Sequence, residues 1–182
     1  MSKNYLAYIL LVFATFCWSG NFIVGKFAYL FEVPPLTLNF FRWVSVWLIL
    51  LPLTYKEIYN NFSYIKKYWI VISFMGIITI STFNSVVYFA LNYTQVINAV
   101  LVLAVIPAVT IVLSSLMKIE KTNFFQIFGL ILSIIGVGSI ISNGDIQKIA
   151  SLSFNKGDLW MLVCVFTWAL YSTLLKKHKF KF

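Results

Sequence analysis

The chain has 182 residues, of which 61% are hydrophobic and 19% aromatic, while only 10% are charged. A soluble domain usually carries about 25% charged residues, so this chain has too little charge to cover a surface that faces water. Apolar runs of about 20 residues recur along it, and each is long enough to cross a bilayer as a helix. The composition therefore excludes an ordinary soluble domain and predicts an all-α, polytopic membrane helix bundle.

Six transmembrane helices are predicted, the first over residues 5–26. The second begins after Pro34 and Pro35, because proline suits the first turn of a helix, and it ends near Pro52, because proline cannot continue one. The other four cover residues 68–93, 96–117, 123–141 and 157–175. Only residues 92–95 separate the third from the fourth, so these two are expected to form a tight hairpin.

Lysine placement predicts the orientation. With the N-terminus in the cytoplasm, three lysines lie on the outer side (Lys26, Lys148 and Lys156) and ten on the inner side. The inner ten are Lys3, Lys56, Lys66, Lys67, Lys118, Lys121, Lys176, Lys177, Lys179 and Lys181. Positively charged loops stay inside, so both termini are expected on the cytoplasmic side of the plasma (inner) membrane. Topology and anionic lipid headgroups explain the net charge of +9, and no nucleic-acid partner is predicted.

Two segments of the chain nearly repeat each other. Residues 13–26 read FATFCWSGNFIVGK and residues 163–176 read VCVFTWALYSTLLK, so that Trp18 aligns with Trp168 and Lys26 with Lys176. Five spans lie between the starts of the two segments, so a second copy enters the membrane from the opposite side. Inverted repeats of this kind build many secondary transporters, although two apolar helices that end in lysine also match by chance.

Further phrases follow in a characteristic order. The first span carries W-x-x-N-F and ends in lysine, PPLTLNFFRW opens the second, and YFALNYTQVINAVLVLAVIPAVTIVLSSLMKIEK covers the third-to-fourth hairpin. FFQIFGLILSIIGVGSII is a glycine-rich fifth helix, and KGDLWMLVCVFTWALYSTLLKK contains the sixth. In order and spacing these phrases resemble the EamA-type domain of the drug/metabolite transporter superfamily, over about residues 6–177.

The resemblance implies part of a ten-helix, inverted-repeat transporter. Residues 1–142 then form a first EamA-like five-helix repeat, residues 143–156 an extracytoplasmic loop, and residues 157–182 the first helix of a second repeat with a basic cytoplasmic tail. The chain is therefore expected to be truncated, with a missing second-repeat half or a homo-oligomer completing it; the lysine asymmetry disfavours a dual-topology homodimer. The resemblance also implies export of small metabolites, such as amino acids or amphipathic compounds, by alternating access.

Polar residues inside the spans nominate a substrate path. Helical spacing places Trp18 and Asn21 on one face of the first span with Ala14 and Gly25, and Ser81, Asn84, Tyr88 and Asn92 on one face of the third. The candidate lining residues are Trp18, Asn21, Asn84, Tyr88, Arg42 and Asn39. Unpaired polar groups are costly in hydrocarbon. These faces are expected to turn together, either lining a path for a small-molecule substrate or simply joining helices by hydrogen bonds.

Arg42 is the most informative ionisable residue. It lies about 10 Å inside the outer start of the second span, where a charge is rare and faces the bundle interior or water. It either attracts a substrate carboxylate or has a structural role, tethered to backbone carbonyls or reaching the outer surface; the structural role is favoured. Lys26, at a helix end, is interpreted as an interfacial anchor rather than a ligand.

Two further features concern helix shape and packing. Pro107 lies within the fourth span and predicts a kink, either beside the substrate path or as a static bend. Gly129, Ser133 and Gly136 form a stripe of small residues on the fifth span, for which close helix packing is a sufficient explanation.

The alternative function is a non-transporting membrane scaffold or assembly partner. An embedded enzyme is disfavoured, since the sequence has no paired carboxylates, no histidine cluster, no G-x-S-x-G and no phosphate-binding loop. Cys17 and Cys164 fall in apolar segments and are expected to be buried thiols. With the single His178 in the terminal tail they form no metal cluster, so no catalytic residue, metal or cofactor is predicted.

Overall fold

The computed structural model describes residues 3–141, 155–178 and 180, and all regular secondary structure in these residues is helical. The helices are α1 (Lys3–Leu30), α2 (Pro35–Asn60), α3 (Phe62–Gly76), a π-helical segment (Ile77–Phe83), α4 (Asn84–Ala90), α5 (Val96–Leu103), α6 (Ile106–Leu116), α7 (Phe124–Ile141) and α8 (Lys156–His178). The predicted loop over 143–156 lies outside the described residues except for 155 and 156, and so does the tail beyond 178 except for 180.

In the described part of the chain, five segments are long and apolar enough to cross a membrane. They are Tyr5–Leu30, Pro35–Asn60, Phe62–Ala90, Val96–Leu116 and Lys156–His178, and α7 adds a shorter apolar stretch over Phe124–Gly136. These segments confirm the predicted all-α, polytopic bundle of about six helices. The third span ends at Ala90 and α5 begins at Val96, so the predicted short link between the third and fourth spans is confirmed, while α8 packs against both of them.

The second span does not end near Pro52, and this prediction was wrong. The helix α2 continues through the proline to Asn60. Proline removes one N–H donor, but spanning helices tolerate the loss where local hydroxyls and neighbouring groups satisfy the freed backbone. Just beyond the proline, the Thr54 hydroxyl donates to the Leu50 carbonyl oxygen over 2.9 Å. This bond adds to the turn around Pro52, while the carbonyl that the proline leaves without an N–H partner is that of Leu48, four residues earlier.

The third span changes its helical period part-way along. It begins at Phe62, earlier than the predicted residue 68, and passes through the π-helical segment before α4. A π-helix bonds each N–H to the carbonyl five residues back and so has a wider turn. Asn84 is consequently buried, whereas Ser81 is exposed on an open groove beside α2. The predicted common face of Ser81 and Asn84 is wrong because the period changes between them.

The fourth span is interrupted rather than continuous. Between α5 and α6, the N–H of Val105 donates to the Val102 carbonyl over 3.2 Å, a contact three residues apart instead of four. Pro107 then lies in the first turn of α6. At that position its missing N–H costs no intrahelical bond and its fixed φ suits the helix. The proline thus lies at the start of the second half of the span, and the kink that it is expected to cause stays a prediction.

The core of the bundle forms around α8. Met161, Cys164 and Ala169 are completely buried there, packed between the third span and the α5–α6 pair. Tyr88 and Leu91 are the largest buried side chains on the opposing surface. Although α8 is the predicted start of a second repeat, it is packed as a central part of the described bundle.

The faces of α1, α2 and α7 are mostly exposed. In the described part of the chain, many large apolar side chains on these helices are exposed. Such faces are typical of helices that contact lipid or neighbouring helices. Cys17 lies on such a face of α1 and is exposed, so its predicted burial was wrong, whereas Cys164 is buried as predicted. The difference arises because α8 is enclosed by other helices and this side of α1 is not.

The small-residue stripe on α7 has no close neighbour among the described residues. A Cβ atom placed on Gly129 or Gly136 meets nothing within 4 Å, and Ser133 is exposed. Close packing on this stripe therefore stays a prediction, and it concerns a partner outside the described residues.

Candidate substrate cavity

A cavity of about 480 Å³ opens between the first three spans, the α5–α6 break and α8. Its polar lining comes from Asn21, Arg42, Thr79 and Asn84, and its aromatic lining includes Trp18, Trp43, Phe83 and Trp168. Binding sites for small molecules usually measure about 300–1,000 Å³ and combine apolar walls with a few placed polar groups. The cavity has the size and the composition of such a site.

Arg42 is the centre of a polar cluster that joins the first three spans. The two hydrogens of its Nη1 atom are shared among three acceptors, which are Oδ1 of Asn21 at 2.8 Å, Oδ1 of Asn84 at 3.1 Å and the hydroxyl oxygen of Tyr88. The Tyr88 hydroxyl in turn donates to Oδ1 of Asn21 over 2.6 Å. Arg42 is therefore tethered to side-chain oxygens, and not to the backbone carbonyls or the outer surface that the structural interpretation named.

A glycine makes room for the tyrosine in this cluster. A Cβ atom on Gly25 would lie 2.7 Å from Cδ1 of Tyr88 and 3.0 Å from Cδ1 of Leu91. Real Cβ contacts do not come this close, so any larger residue would push the tyrosine away. Gly25 thus lets α1 approach the third span closely enough for Tyr88 to reach Asn21.

The π-helical segment fixes the orientation of Asn84. Its side-chain Nδ2 donates to the Thr79 carbonyl over 2.8 Å, so its Oδ1 atom is turned toward Arg42. Asn39 binds the same segment, since its Nδ2 donates to the Ile80 carbonyl over 2.9 Å and to the Ser85 hydroxyl over 2.9 Å. Two amide side chains therefore satisfy carbonyl groups of the widened turn, and one of them positions an acceptor in the cavity.

The two tryptophans of the near-repeat contact each other at the cavity wall. The rings of Trp18 and Trp168 lie 6.4 Å apart at an angle of 83°. Trp168 also packs on Phe83 at 4.6 Å and on Tyr171 at 5.8 Å. Edge-to-face contacts of this kind are favourable and rigid. The first span and α8 thus meet through the two tryptophans that the near-repeat aligns.

The structure places the six predicted lining residues in three different settings. Trp18, Asn21, Arg42 and Asn84 line the cavity. Tyr88 is 2% exposed, and it lies behind Asn21 and Arg42, to which it is hydrogen-bonded. Asn39 lines a separate open groove, because its amide is turned toward the π-helical segment. Asn39 and Arg42 are thus not brought to the same site, although they are one turn apart.

Sequence reasoning missed several lining residues. Trp43, Thr79 and Tyr171 all line the cavity, and Trp168 was noticed only as part of the near-repeat. An aromatic residue directly after the single arginine was an available signal for Trp43, since cations and aromatic rings attract each other; the Arg42 guanidinium carbon lies 5.2 Å from the Trp43 ring. No sequence signal marked Thr79, because the π-helical turn that presents it is invisible in the residue pattern.

A second cluster lies at the end of the bundle where the first span ends and α8 begins. The Lys26 ammonium donates to the carbonyl oxygens of Leu91 and Thr94 over 2.7 and 3.1 Å, where a cation suits the carbonyl end of a helix. The Thr94 hydroxyl donates to the Asp158 carboxylate over 2.9 Å. Gly157 packs against the end of the third span so closely that a Cβ atom on it would lie 2.7 Å from the carbonyl oxygen of Ala90. The half-buried Lys26 side chain thus joins α1 to the link between the third and fourth spans.

Comparison with known proteins identifies the family. Residues 5–142 match the EamA-like transporter family. The chain belongs to this family. It is similar to the uncharacterized transporter YyaM of Bacillus subtilis, 33% identical over 100 residues that cover 55% of this chain and 33% of the relative. It is also 29% identical to an uncharacterized transporter of Archaeoglobus fulgidus over 182 residues, 98% of this chain and 60% of the relative.

These comparisons confirm the predicted resemblance to the EamA-type domain and identify the chain as a transporter-family membrane protein. No solved structure matches it. The chain spans between one third and three fifths of the length of these two curated relatives.

Proposed function

We propose that the protein is a carrier that moves a small metabolite across the plasma membrane through the cavity at Arg42. The observation that carries this proposal is the combination in one cavity of a polar cluster from three spans with an aromatic wall shared with α8. The polar groups offer amide and guanidinium contacts, and the aromatic rings offer apolar surface. A small polar or amphipathic molecule, such as an amino acid, fits both.

Two breaks in regular helix support an alternating-access mechanism. The π-helical segment and the turn between α5 and α6 both border the cavity, through Thr79 and Phe83 on one side and Leu103 and Ile106 on the other. Interrupted helices beside a substrate site are typical of secondary transporters. Such breaks let half-helices move separately, so the cavity opens to one side of the membrane at a time. Export is the direction that the family resemblance favours.

We propose that further spans complete the substrate path. The relative from Archaeoglobus fulgidus aligns with 98% of this chain but is covered over only 60% of its own length. In this proposal residues 1–142 are the first repeat, residues 157–182 begin the inverted second one, and the remaining wall comes from a second-repeat half or another copy. The exposed faces of α1, α2 and α7 are the surfaces available for it.

Orientation is part of the proposal, with both termini in the cytoplasm. Its support is the excess of lysines on the inner side. Fusing a fluorescent protein at residue 182, and alkaline phosphatase within residues 92–95, tests it in bacterial cells. Fluorescence from the first fusion together with phosphatase activity from the second is expected. The reverse pattern would overturn the orientation.

Flux measurements test the transport proposal. The natural gene product is reconstituted in proteoliposomes and offered a panel of labelled amino acids and amphipathic metabolites. Trp18→Ala and Asn84→Ala are expected to reduce flux strongly while leaving membrane insertion intact, because they remove cavity lining. Trp69→Ala and Asn60→Ala are matched controls, since both residues are exposed and lie outside the cavity. Normal flux in both cavity variants would show that the proposed lining is wrong.

A membrane scaffold or assembly partner is the second candidate. The observation that favours it is the large exposed apolar surface of α1, α2 and α7, which suits helix-helix assembly. Absence of flux for every metabolite of the panel, with stable insertion of the natural gene product, would support this candidate over the carrier.

A further inference from the structure

We propose that the cavity selects amphipathic molecules with one carboxylate and a net negative charge, which bind through the unused edge of the Arg42 guanidinium. This inference rests on the proposed function and names its substrate class. The apolar part of the molecule packs against the aromatic wall at Trp18, Phe83 and Trp168. Three observations on the geometry, the charge and the shape of the site support it.

The first observation is the geometry of the guanidinium. Within the described residues, all three side-chain hydrogen bonds of Arg42 come from a single atom, Nη1. The Nη2 and Nε atoms retain donors, and Arg42 lines the cavity. A guanidinium edge presents two parallel N–H groups that match the two oxygens of a carboxylate. The cluster therefore holds the arginine from one side and leaves the other side for a ligand.

The second observation is the charge balance. The acceptors on Nη1 are two amide oxygens and a hydroxyl, all of them neutral. Among the described residues, no carboxylate forms an ion pair with Arg42. Glu120 forms an ion pair, but with Lys176 on the surface. Coulomb attraction is stronger in the low-dielectric interior than in water. The cluster thus orients the Arg42 side chain without neutralising its positive charge. An anion bound in the cavity balances that charge.

The third observation separates a carboxylate from a phosphate. Among the described residues, Arg42 is the cation that lines the cavity, whereas Lys26 is bound to two backbone carbonyls at the end of the third span. One guanidinium edge balances a single negative charge, and a phosphate dianion leaves excess charge in an apolar site, which is costly. The wall beside Arg42 is aromatic, with Trp168 packed between Trp18 and Phe83. An apolar or aromatic tail on a monocarboxylate matches this wall.

The test compares three ligands of nearly equal shape and different charge. Phenylpropionate, phenylpropionamide and phenylpropylammonium are titrated by calorimetry into the natural gene product in lipid nanodiscs. A hydrogen bond to a charged group is worth about 1.5–3 kcal/mol, so the acid is expected to bind about 10- to 100-fold more tightly than the amide. The ammonium compound is expected to bind most weakly. This comparison uses the unmodified protein and does not depend on how any variant folds.

Two variants locate the preference at Arg42. Arg42→Gln is expected to bind acid and amide equally, and Arg42→Lys to keep only part of the preference, because lysine retains the charge but not the paired donors. Lys66→Gln is the control for net charge, since Lys66 is exposed on α3 and outside the cavity. Retention of the full acid preference in Arg42→Gln would overturn the assignment.

The outcomes distinguish this inference from the proposed function. Equal binding of acid and amide by the unmodified protein, tighter binding of the ammonium compound, or no binding of any of the three would overturn the carboxylate preference. A carrier that moves neutral or zwitterionic metabolites in the flux panel still satisfies the proposed function. Failure of all flux instead contradicts the carrier itself.

Discussion

The Nη1 atom of Arg42 lies 2.8 Å from Oδ1 of Asn21, and this contact joins the second span to the first inside the bundle. The same nitrogen reaches Asn84 and Tyr88, so the third span is held by the same cluster. Loss of one partner leaves polar groups of the others unpaired away from water, which costs more than the bond itself contributes. Stability and ligand binding are therefore expected to change together when the cluster is altered.

Tyr88→Phe tests the cluster with the smallest change. The substitution removes the hydroxyl that accepts from Arg42 and donates to Asn21. Hydrogen bonds between membrane helices contribute about 0.6–2 kcal/mol, so the free energy of unfolding is expected to fall by about that amount. Reversible unfolding in mixed detergent measures it. Tyr93→Phe is the control, since Tyr93 is 49% exposed, and an equal loss in both variants would contradict the role of Tyr88.

Gly25→Ala tests the close approach of α1 to the third span. The added methyl group would lie 2.7 Å from the Tyr88 ring, and overpacking of this kind costs about 1–3 kcal/mol. Lower stability and weaker ligand binding are expected together, because Tyr88 must move away from Asn21. Gly20→Ala on the same helix is the matched control, since its Cβ meets nothing within 4 Å. If the two variants unfold at the same temperature, the predicted contact does not exist.

Lys26→Met tests the contact of Lys26 with the link between the third and fourth spans. Two charge-assisted hydrogen bonds to the Leu91 and Thr94 carbonyls are lost, while methionine keeps the length of the side chain. The expected cost is about 1–3 kcal/mol, measured by thermal unfolding in nanodiscs. Lys66→Met removes an exposed charge and is expected to change stability little. A negligible effect of Lys26→Met would leave Lys26 as only the interfacial anchor that the sequence suggested.

Much of the fold was predictable because apolar runs of spanning length are direct evidence for membrane helices. The short link at residues 92–95 followed from the same pattern, whereas the helical spacing of polar residues indicated Trp18, Asn21 and Asn84 as cavity residues. The end of the second span was misplaced because Pro52 is tolerated inside a spanning helix, where it removes only one backbone bond. Local residue type did not reveal this, since the outcome depends on the groups that surround the freed carbonyl.

The site was only partly predictable, because its geometry depends on a change of helical period. A constant period put Ser81 beside Asn84, whereas the π-helical turn separates them and exposes the Thr79 carbonyl that orients Asn84. Asn39 is predicted to line the path because it lies one turn from Arg42, but its amide binds the widened turn. The contact of Trp18 with Trp168 also required the packing of α8, which alignment of the two segments does not describe.

Thiol accessibility at Ile106 tests the central claim, that the cavity at Arg42 is a substrate site that solutes can reach from water. In a background with Cys17→Ser and Cys164→Ala, Ile106→Cys is treated with a charged methanethiosulfonate reagent in nanodiscs. Ile106 lines the cavity, whereas Leu132→Cys, on the exposed face of α7, serves as the control facing the bilayer. We predict fast labelling of Ile106→Cys that slows when a metabolite transported in the flux panel is added. Labelling as slow as that of Leu132→Cys, or labelling that the metabolite leaves unchanged, would contradict the account.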